Sequence, residues 1–450
     1  MTPQKKPQLG IWILTALVAG NMIGSGVFLL PSALAKFGSI GIVAWILTSV
    51  GALFLALVFA KLSRMIPKVG GPYAYCREGF GEFVGFLIAY NYWIALWVGN
   101  AAIIVAFIGY LSVFWPGLAS NHELSFVVSV AVLWLVTAIN IVGVRQAGIV
   151  QLVTTILKII PLVLVAIVGL FYIQPHDLAV FNISGKSTLS AITAAASITL
   201  WSFIGLESAT VPADSAADPS RTISKATIIG TVLAALIYIL GTAAIMGVIP
   251  MKELANSTAP YAEAAGIMFG AWGYWLIGAG AVIATFGALN GWTLLAGQIP
   301  FAAAKDGLFP VAFKVKTRGG SPVYGLVVSA ILITILLLLT LNQSLVQQFT
   351  FIILLATLSS LVPYFFSAMA ELMLLYKRRE EFSKKRLNIS IFISIVAGAY
   401  AFWMIYGAGR DIVYSGMLLM LSGVPVYVWV KWRDFSRTEA EKLVTQALDD

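Results

Sequence analysis

Apolar runs of roughly 20 residues recur along the whole chain, separated by short segments that carry nearly all of its charge. They fall at 9–30, 40–62, 84–112, 124–143, 147–173, 190–213, 223–248, 271–299, 322–341, 347–376, 388–408 and 412–431. None shows the two-residue alternation of a lipid-facing β-strand. In hydrocarbon every peptide N–H and C=O must find a partner within the chain, so runs of this length predict helices. The expectation is an all-α integral membrane protein with twelve transmembrane helices.

Two of these runs depart from the pattern. The first contains Gly20-Asn21-Met22-Ile23-Gly24-Ser25-Gly26, and the sixth contains Trp201-Ser202-Phe203-Ile204-Gly205-Leu206-Glu207-Ser208. A glycine costs a helix about 1 kcal/mol against alanine, so glycines clustered beside Asn and Ser predict a local break. The two sites lie five runs apart and share an echo, Met22-Ile23-Gly24 against Phe203-Ile204-Gly205. A repeat of five spans inverts its second copy in the membrane. The expected layout is one transporter-like domain over 1–450: repeat one at 9–173, repeat two at 190–376 and two extra helices at 388–431. Matched interruptions in two halves are the best sequence pointer to a transport site. Gly20 and Gly24 alone would also suit a small-xxx-small helix contact. A phosphate-binding loop is disfavoured, since no strand precedes the glycines and no Gly-Lys-Ser/Thr follows.

Composition agrees: of 450 residues, 60% are hydrophobic and 10% charged, where a soluble domain carries about a quarter charged residues. The net charge of +9 would suggest nucleic acid, but its distribution says otherwise. With the N-terminus inside, 23 of the 28 lysines and arginines fall on one side, and Lys36, Lys186, Lys252 and Arg410 on the other. Lys158 lies within a span. This asymmetry predicts both termini in the cytoplasm and basic loops facing anionic lipid. The polar start, Met1 to Leu9, runs straight into a full-length apolar stretch and reads as the approach to a first span, not a cleaved signal. One cysteine, Cys76, excludes a disulfide framework, and His122 and His176 are placed in separate loops, so no metal or cofactor is implied. The tail, Asp434 to Asp450, is too short for a second domain.

The broken spans supply the candidate chemistry. A half-helix start offers free N–H groups and partial positive charge, which suit a carboxylate; a half-helix end offers carbonyls, which suit an ammonium. Gly24, Ser25 and Gly26 are candidates for the first, and the carbonyls around Trp201 and Ile204 for the second. Glu207 is the acid placed at mid-depth, where a charge costs roughly 2.5–3.5 kcal/mol on insertion scales. It would attract a cation, pass a proton, or serve as a structural carboxylate. Lys158 would pair with an acid or load protons, unless its stem snorkels to the interface. Trp201 and Trp292 stand beside glycines within spans, placed to stack on a substrate or close a gate. Tyr92, Asn100 and Tyr364 are intramembrane polar groups for which internal hydrogen bonds are the plainer reading.

At these residues the chain resembles the amino acid–polyamine–organocation (APC) transporters, and most of all the basic amino acid/polyamine antiporter branch typified by the bacterial arginine/agmatine antiporter. The likeness covers nearly the whole chain and is densest at GNMIGSGVFLLP (20–31), GGPYAY (70–75), LWSFIGLES (200–208), GWTLLAGQ (291–298) and DGLFP (306–310). It implies a LeuT-like arrangement of five plus five inverted spans, with helices 1 and 6 discontinuous. A homodimer in the bacterial inner membrane, alternating access and no enzymatic step are implied as well. The family's substrate contacts fall on Asn21, Met22, Ser25, Gly26, Ala95, Leu96, Asn100, Trp201, Ile204, Trp292 and Ala356. Trp201 would close the outer side and Trp292 act as a mid-gate. Glu207, with Tyr92 and Tyr364, would form the inner gate and pH-sensitive element, with Tyr73 in the loop tied to pH response. Leu96 and Ala356 replace a cysteine and a serine of the arginine/agmatine pattern and make the distal pocket more apolar. Ile103 stands where that pattern has a methionine. Lys158 is similar instead to the lysine of proton-coupled amino acid transporters in the superfamily.

Two functions follow as expectations. The first is exchange of an amino acid, arginine among the candidates, for a related amino acid or its decarboxylated amine. The second is proton-coupled symport of more neutral amino acids through Lys158. A channel would need a continuous polar stripe, an enzyme a cluster of acid/base or metal groups; neither is present in the pattern. A sensor on the same scaffold would bind substrate without moving it.

Overall fold

The computed structural model describes residues 11–66, 70–142, 162–174, 178, 180–207 and 219–433, with all side chains there except 13, 16, 17, 21 and 219–221. Among these residues all regular structure is helical. The chain opens with α1 (Ile11–Met22), α2 (Ser25–Ala35), α3 (Ile40–Met65), α4 (Pro72–Phe80), α5 (Glu82–Leu111) and α6 (His122–Val142). It continues with α7 (Leu162–Tyr172), α8 (Thr188–Thr199), α9 (Pro219–Val248), α10 (Pro260–Phe269) and α11 (Ala271–Lys305). Last come α12 (Val323–Leu339), α13 (Leu345–Lys377), α14 (Lys384–Gly407) and α15 (Arg410–Arg433).

Eight of these helices are long and apolar enough to cross a membrane: α3, α5, α6, α9 from Thr222, α11, α13, α14 and α15. Shorter apolar helices stand at four other expected runs: Ser25–Ala35, Leu162–Tyr172, Thr188–Phe203 and Val323–Leu339. His122 opens α6, where the sequence pattern placed it in a loop. The segment of the fifth run that holds Lys158 lies outside the described residues.

Burial sorts the helices into centre and rim. The most apolar window of α5 is 94% buried and that of α13 67%, against 17% for α15, so α5 and α13 form the middle and α15 faces outward. Without a hydrophobic drive between helices in lipid, polar cross-links select neighbours. From α5, Asn91 Nδ2 donates to the Ser359 carbonyl of α13 (2.9 Å) and Trp93 Nε1 to Ser329 Oγ of α12 (2.9 Å). The hydroxyls of Thr48 on α3 and Thr199 at the end of α8 meet at 2.7 Å. Tyr110, fully buried on α5, donates to the Phe28 carbonyl of α2 (2.7 Å) and accepts from the Tyr261 N–H of α10 (3.2 Å).

Both expected interruptions are present as backbone geometry. In the first run α1 stops at Met22. The Ile23 N–H still reaches the Ala19 carbonyl (2.8 Å), Gly24 is non-helical at φ −126°, ψ −139°, and α2 starts at Ser25 with no side chain capping it. In the sixth run α8 ends at Thr199 and tightens into one 3-10 turn over Leu200–Phe203. Ile204 then extends (φ −68°, ψ 131°) and Gly205 takes φ +104°. That last value lies in the region where an L side chain is strained, so glycine is required there.

Candidate functional site

The two interruptions meet. Trp201 Nε1 of the 3-10 turn donates to Ser25 Oγ in the first turn of α2, at 3.2 Å. Gly26 makes the approach feasible: a Cβ there would collide with Ser202 Oγ and come within 3.0 Å of Trp201 Cδ1. The Trp201 and Trp292 rings lie 5.7 Å apart at 44°. Gly99 of α5 lies against both, since a Cβ on it would fall 2.8 Å from Trp201 and 3.2 Å from Trp292. Gly24 faces Ala288 of α11. Thus Gly24, Ser25, Gly26, Trp201 and Trp292, separated by up to 268 positions, share one buried junction, with Met22 at its edge as the last residue of α1.

Which peptide groups are free at the junction follows from the bonds already made. The first N–H groups of α2 have no partner in their own helix. On the other strand of the junction, the Trp201 carbonyl accepts from the Ile204 N–H (3.2 Å), Ser202 from the Tyr238 hydroxyl (3.0 Å) and Phe203 from the Leu206 N–H (3.3 Å). This refines the expectation of carbonyls around Trp201 and Ile204. The Trp201 carbonyl is engaged, and among the described residues that of Ile204 makes no hydrogen bond.

Asn100, on α5 next to Gly99, is fully buried with both amide atoms unpartnered, and the Thr293 and Thr357 hydroxyls are in the same condition. Each such group costs about 1–3 kcal/mol when left unpaired. Ala95 and Leu96 lie one turn back on α5, and Ala356 beside Thr357 on α13; all three are buried. Helix α13 packs against both α2 and the 3-10 turn. The Asn21 side chain and Lys158 lie outside what is described.

Glu207, two residues past Gly205 and fully buried, is the hub of a second cluster. Tyr92 of α5 donates to its Oε1 and Tyr364 of α13 to its Oε2, each at 2.5 Å. The Tyr364 hydroxyl also accepts from the Gly205 N–H at 3.4 Å. Both bonds lie at the short end of the range for O–H···O contacts. They tie the turn after the break to both central helices.

Tyr73, in the first turn of α4, is distinct from these residues. Its hydroxyl donates to Asp306 Oδ2 (3.2 Å), which also pairs with Arg77 (3.2 Å). Burial first, and the Asp306 carboxylate second, push the phenol well above the usual tyrosine range, so it acts as a donor and not as a titrating group. Tyr73, Arg77 and Asp306 line a cavity of about 1030 Å³ that runs along α11 to Leu295, one turn from Trp292.

Two charged pairs gave no signal in the sequence pattern: Arg77–Asp306, and Lys61 of α3 with Glu371 of α13 (3.5 Å), the latter 1% exposed. Glu371 is therefore a second buried acid beside Glu207, although it lies near the end of its helix. Gly26→Ala is expected to destabilise the fold by about 1–3 kcal/mol through overpacking at the junction. Adding Ser202→Ala should recover part of that loss in thermal denaturation. Additive effects in the double variant would mean that the two backbones do not touch there.

Similarity to known proteins bears on this geometry. The family model for amino acid permeases matches residues 9–430. The putrescine transporter PotE of Haemophilus influenzae is 34% identical over 438 residues, covering 95% of this chain and 98% of that protein. The arginine/ornithine antiporter of Pseudomonas aeruginosa is 33% identical over 447 residues, covering 96% and 92%. The cadaverine/lysine antiporter of Escherichia coli is 34% identical over 417 residues, covering 91% of each chain. The chain belongs to the amino acid permease family of the APC superfamily and resembles its basic amino acid/polyamine antiporters.

Proposed function

We propose that the chain is a secondary active transporter of a bacterial inner membrane that exchanges an amino acid for a related amino acid or its decarboxylated amine. The observation that carries the reading is the meeting of two interrupted apolar helices at Ser25 and Trp201, with unbonded peptide groups at both breaks. Relatives named for putrescine, arginine/ornithine and cadaverine/lysine transport support a basic amino acid and its amine as the exchanged pair.

In this reading the fold is the LeuT-like five-plus-five inverted repeat, with repeats at 9–173 and 190–376 and two added helices at 388–431. It works by alternating access as a homodimer with both termini cytoplasmic. The N–H groups at Ser25 and Gly26 hold the α-carboxylate, beside Gly24, whose own N–H stays on the Met22 carbonyl (2.9 Å), and the Ile204 carbonyl holds the α-ammonium. The side chain of the substrate extends past Trp201 and Trp292 toward Ala95, Leu96, Asn100 and Ala356. Asn100 supplies the polar end of a pocket otherwise apolar, and its unpartnered amide finds partners when substrate binds. Met22 completes the wall, and Asn21 is assigned to substrate on the family resemblance alone. Tyr92, Glu207 and Tyr364 form the inner gate, and the cavity beside Tyr73 is the path beyond it.

Counterflow in proteoliposomes, with arginine, agmatine, lysine, ornithine, putrescine and neutral amino acids inside, tests the reading. Uptake should require internal substrate and prefer a basic pair. Uptake driven by a proton gradient into empty vesicles would instead support symport through Lys158. Trp201→Leu should weaken substrate binding several-fold with thermal stability retained; unchanged affinity would remove Trp201 from the site. Glu207→Gln, which turns one acceptor oxygen into a donor facing a tyrosine, should flatten the pH dependence of exchange. An unaltered pH profile would reject the gate.

A further inference from the structure

We propose that the basic end of the molecule carries a site for the phosphate of an anionic phospholipid, built between the C-terminal ends of α3 and α13 and the start of α14. These three ends, with Ser224 and Ile228 of α9, surround a cavity of about 660 Å³. Among the described residues four cations line it, Lys61, Arg64, Arg378 and Arg386, against two carboxylates, Glu371 and Glu381.

Three of the cations are fixed in position by contacts with their surroundings. The Lys61 ammonium stands 3.5 Å from Glu371 Oε1 and 5.2 Å from the Phe382 ring centre, and it is buried without a hydrogen-bond partner. Glu371 Oε2 is likewise buried and unpartnered. Arg378 donates to the Met65 carbonyl (3.2 Å) and Arg64 to Ser224 Oγ (2.6 Å), so both guanidinium groups are held in place at the cavity wall. The guanidinium of Arg386, at the exposed rim, makes no bond among the described residues. A phosphate offers the several acceptor oxygens that such guanidinium forks and an ammonium take.

The rest of the wall selects a lipid over a soluble phosphate. Leu57 on α3 and Ile389 and Ile393 on α14 line the same cavity away from the charged rim. They continue into the outward faces of these helices, where Ile389 is 51% exposed and Phe392 61%. An acyl chain can lie along that stripe while its headgroup meets the cations. Basic pockets between helix ends are where anionic headgroups bind.

Native mass spectrometry of purified protein with phosphatidylglycerol and phosphatidylcholine of matched chains tests the site. Wild type should retain phosphatidylglycerol preferentially. Arg386→Gln should cut that preference about fivefold, the equivalent of about 1 kcal/mol for one basic residue near a lipid surface. Arg386→Lys should keep most of it, and so should Lys252→Gln, which removes a charge from an exposed position outside the cavity. Equal retention of the two lipids, no change in Arg386→Gln, or an equal loss in Lys252→Gln would overturn the proposal. Displacement of the lipid by glycerol 3-phosphate alone would overturn it in favour of a soluble phosphate.

Discussion

A peptide group without a hydrogen-bond partner is costly in hydrocarbon, and the rest of the structure follows from the two places where this chain incurs that cost. A helix interrupted inside an apolar run exposes donors at one end and acceptors at the other. Here the exposed ends are brought together. Gly26 lets the backbones approach, Gly205 takes the positive φ that turns the chain away, and Tyr238 satisfies the Ser202 carbonyl. The unsatisfied peptide groups lie at the two breaks, which the Trp201–Ser25 bond brings together beside the Trp292 indole.

The surroundings hold that point under control. Helix α5 passes beneath it, with Gly99 against both tryptophans and Tyr92 bound to Glu207. Helix α13 reaches the same carboxylate through Tyr364. A displacement of the broken segment therefore has to lengthen bonds to both central helices at once, which gives the proposed transport cycle a defined gate. The Arg77–Asp306–Tyr73 cluster stands further along the cavity below Trp292, and its phenol keeps its proton, so its contribution is through hydrogen bonding.

Much of this was legible in the sequence because membrane burial makes exceptions costly. Clustered glycines in an apolar run, one acid at mid-depth in the sixth run and tryptophans beside glycine each violate the rule that lipid imposes, and each marks the junction or the Glu207 cluster next to it. Charge at helix ends violates nothing, so Lys61–Glu371 and Arg77–Asp306 were invisible until the fold brought α3 to α13 and α4 to α11. Which carbonyls remain free was equally hidden. It depends on Tyr238 and on the 3-10 turn, neither of which leaves a pattern along the chain.

Hydrogen–deuterium exchange of the purified protein, with and without its best counterflow substrate, measures the central claim directly. If the free peptide groups of the two breaks grip the substrate, saturating ligand will slow exchange at residues 24–27 and 204–206 together. Unchanged exchange at both breaks, in protein that still transports the ligand, would contradict the account.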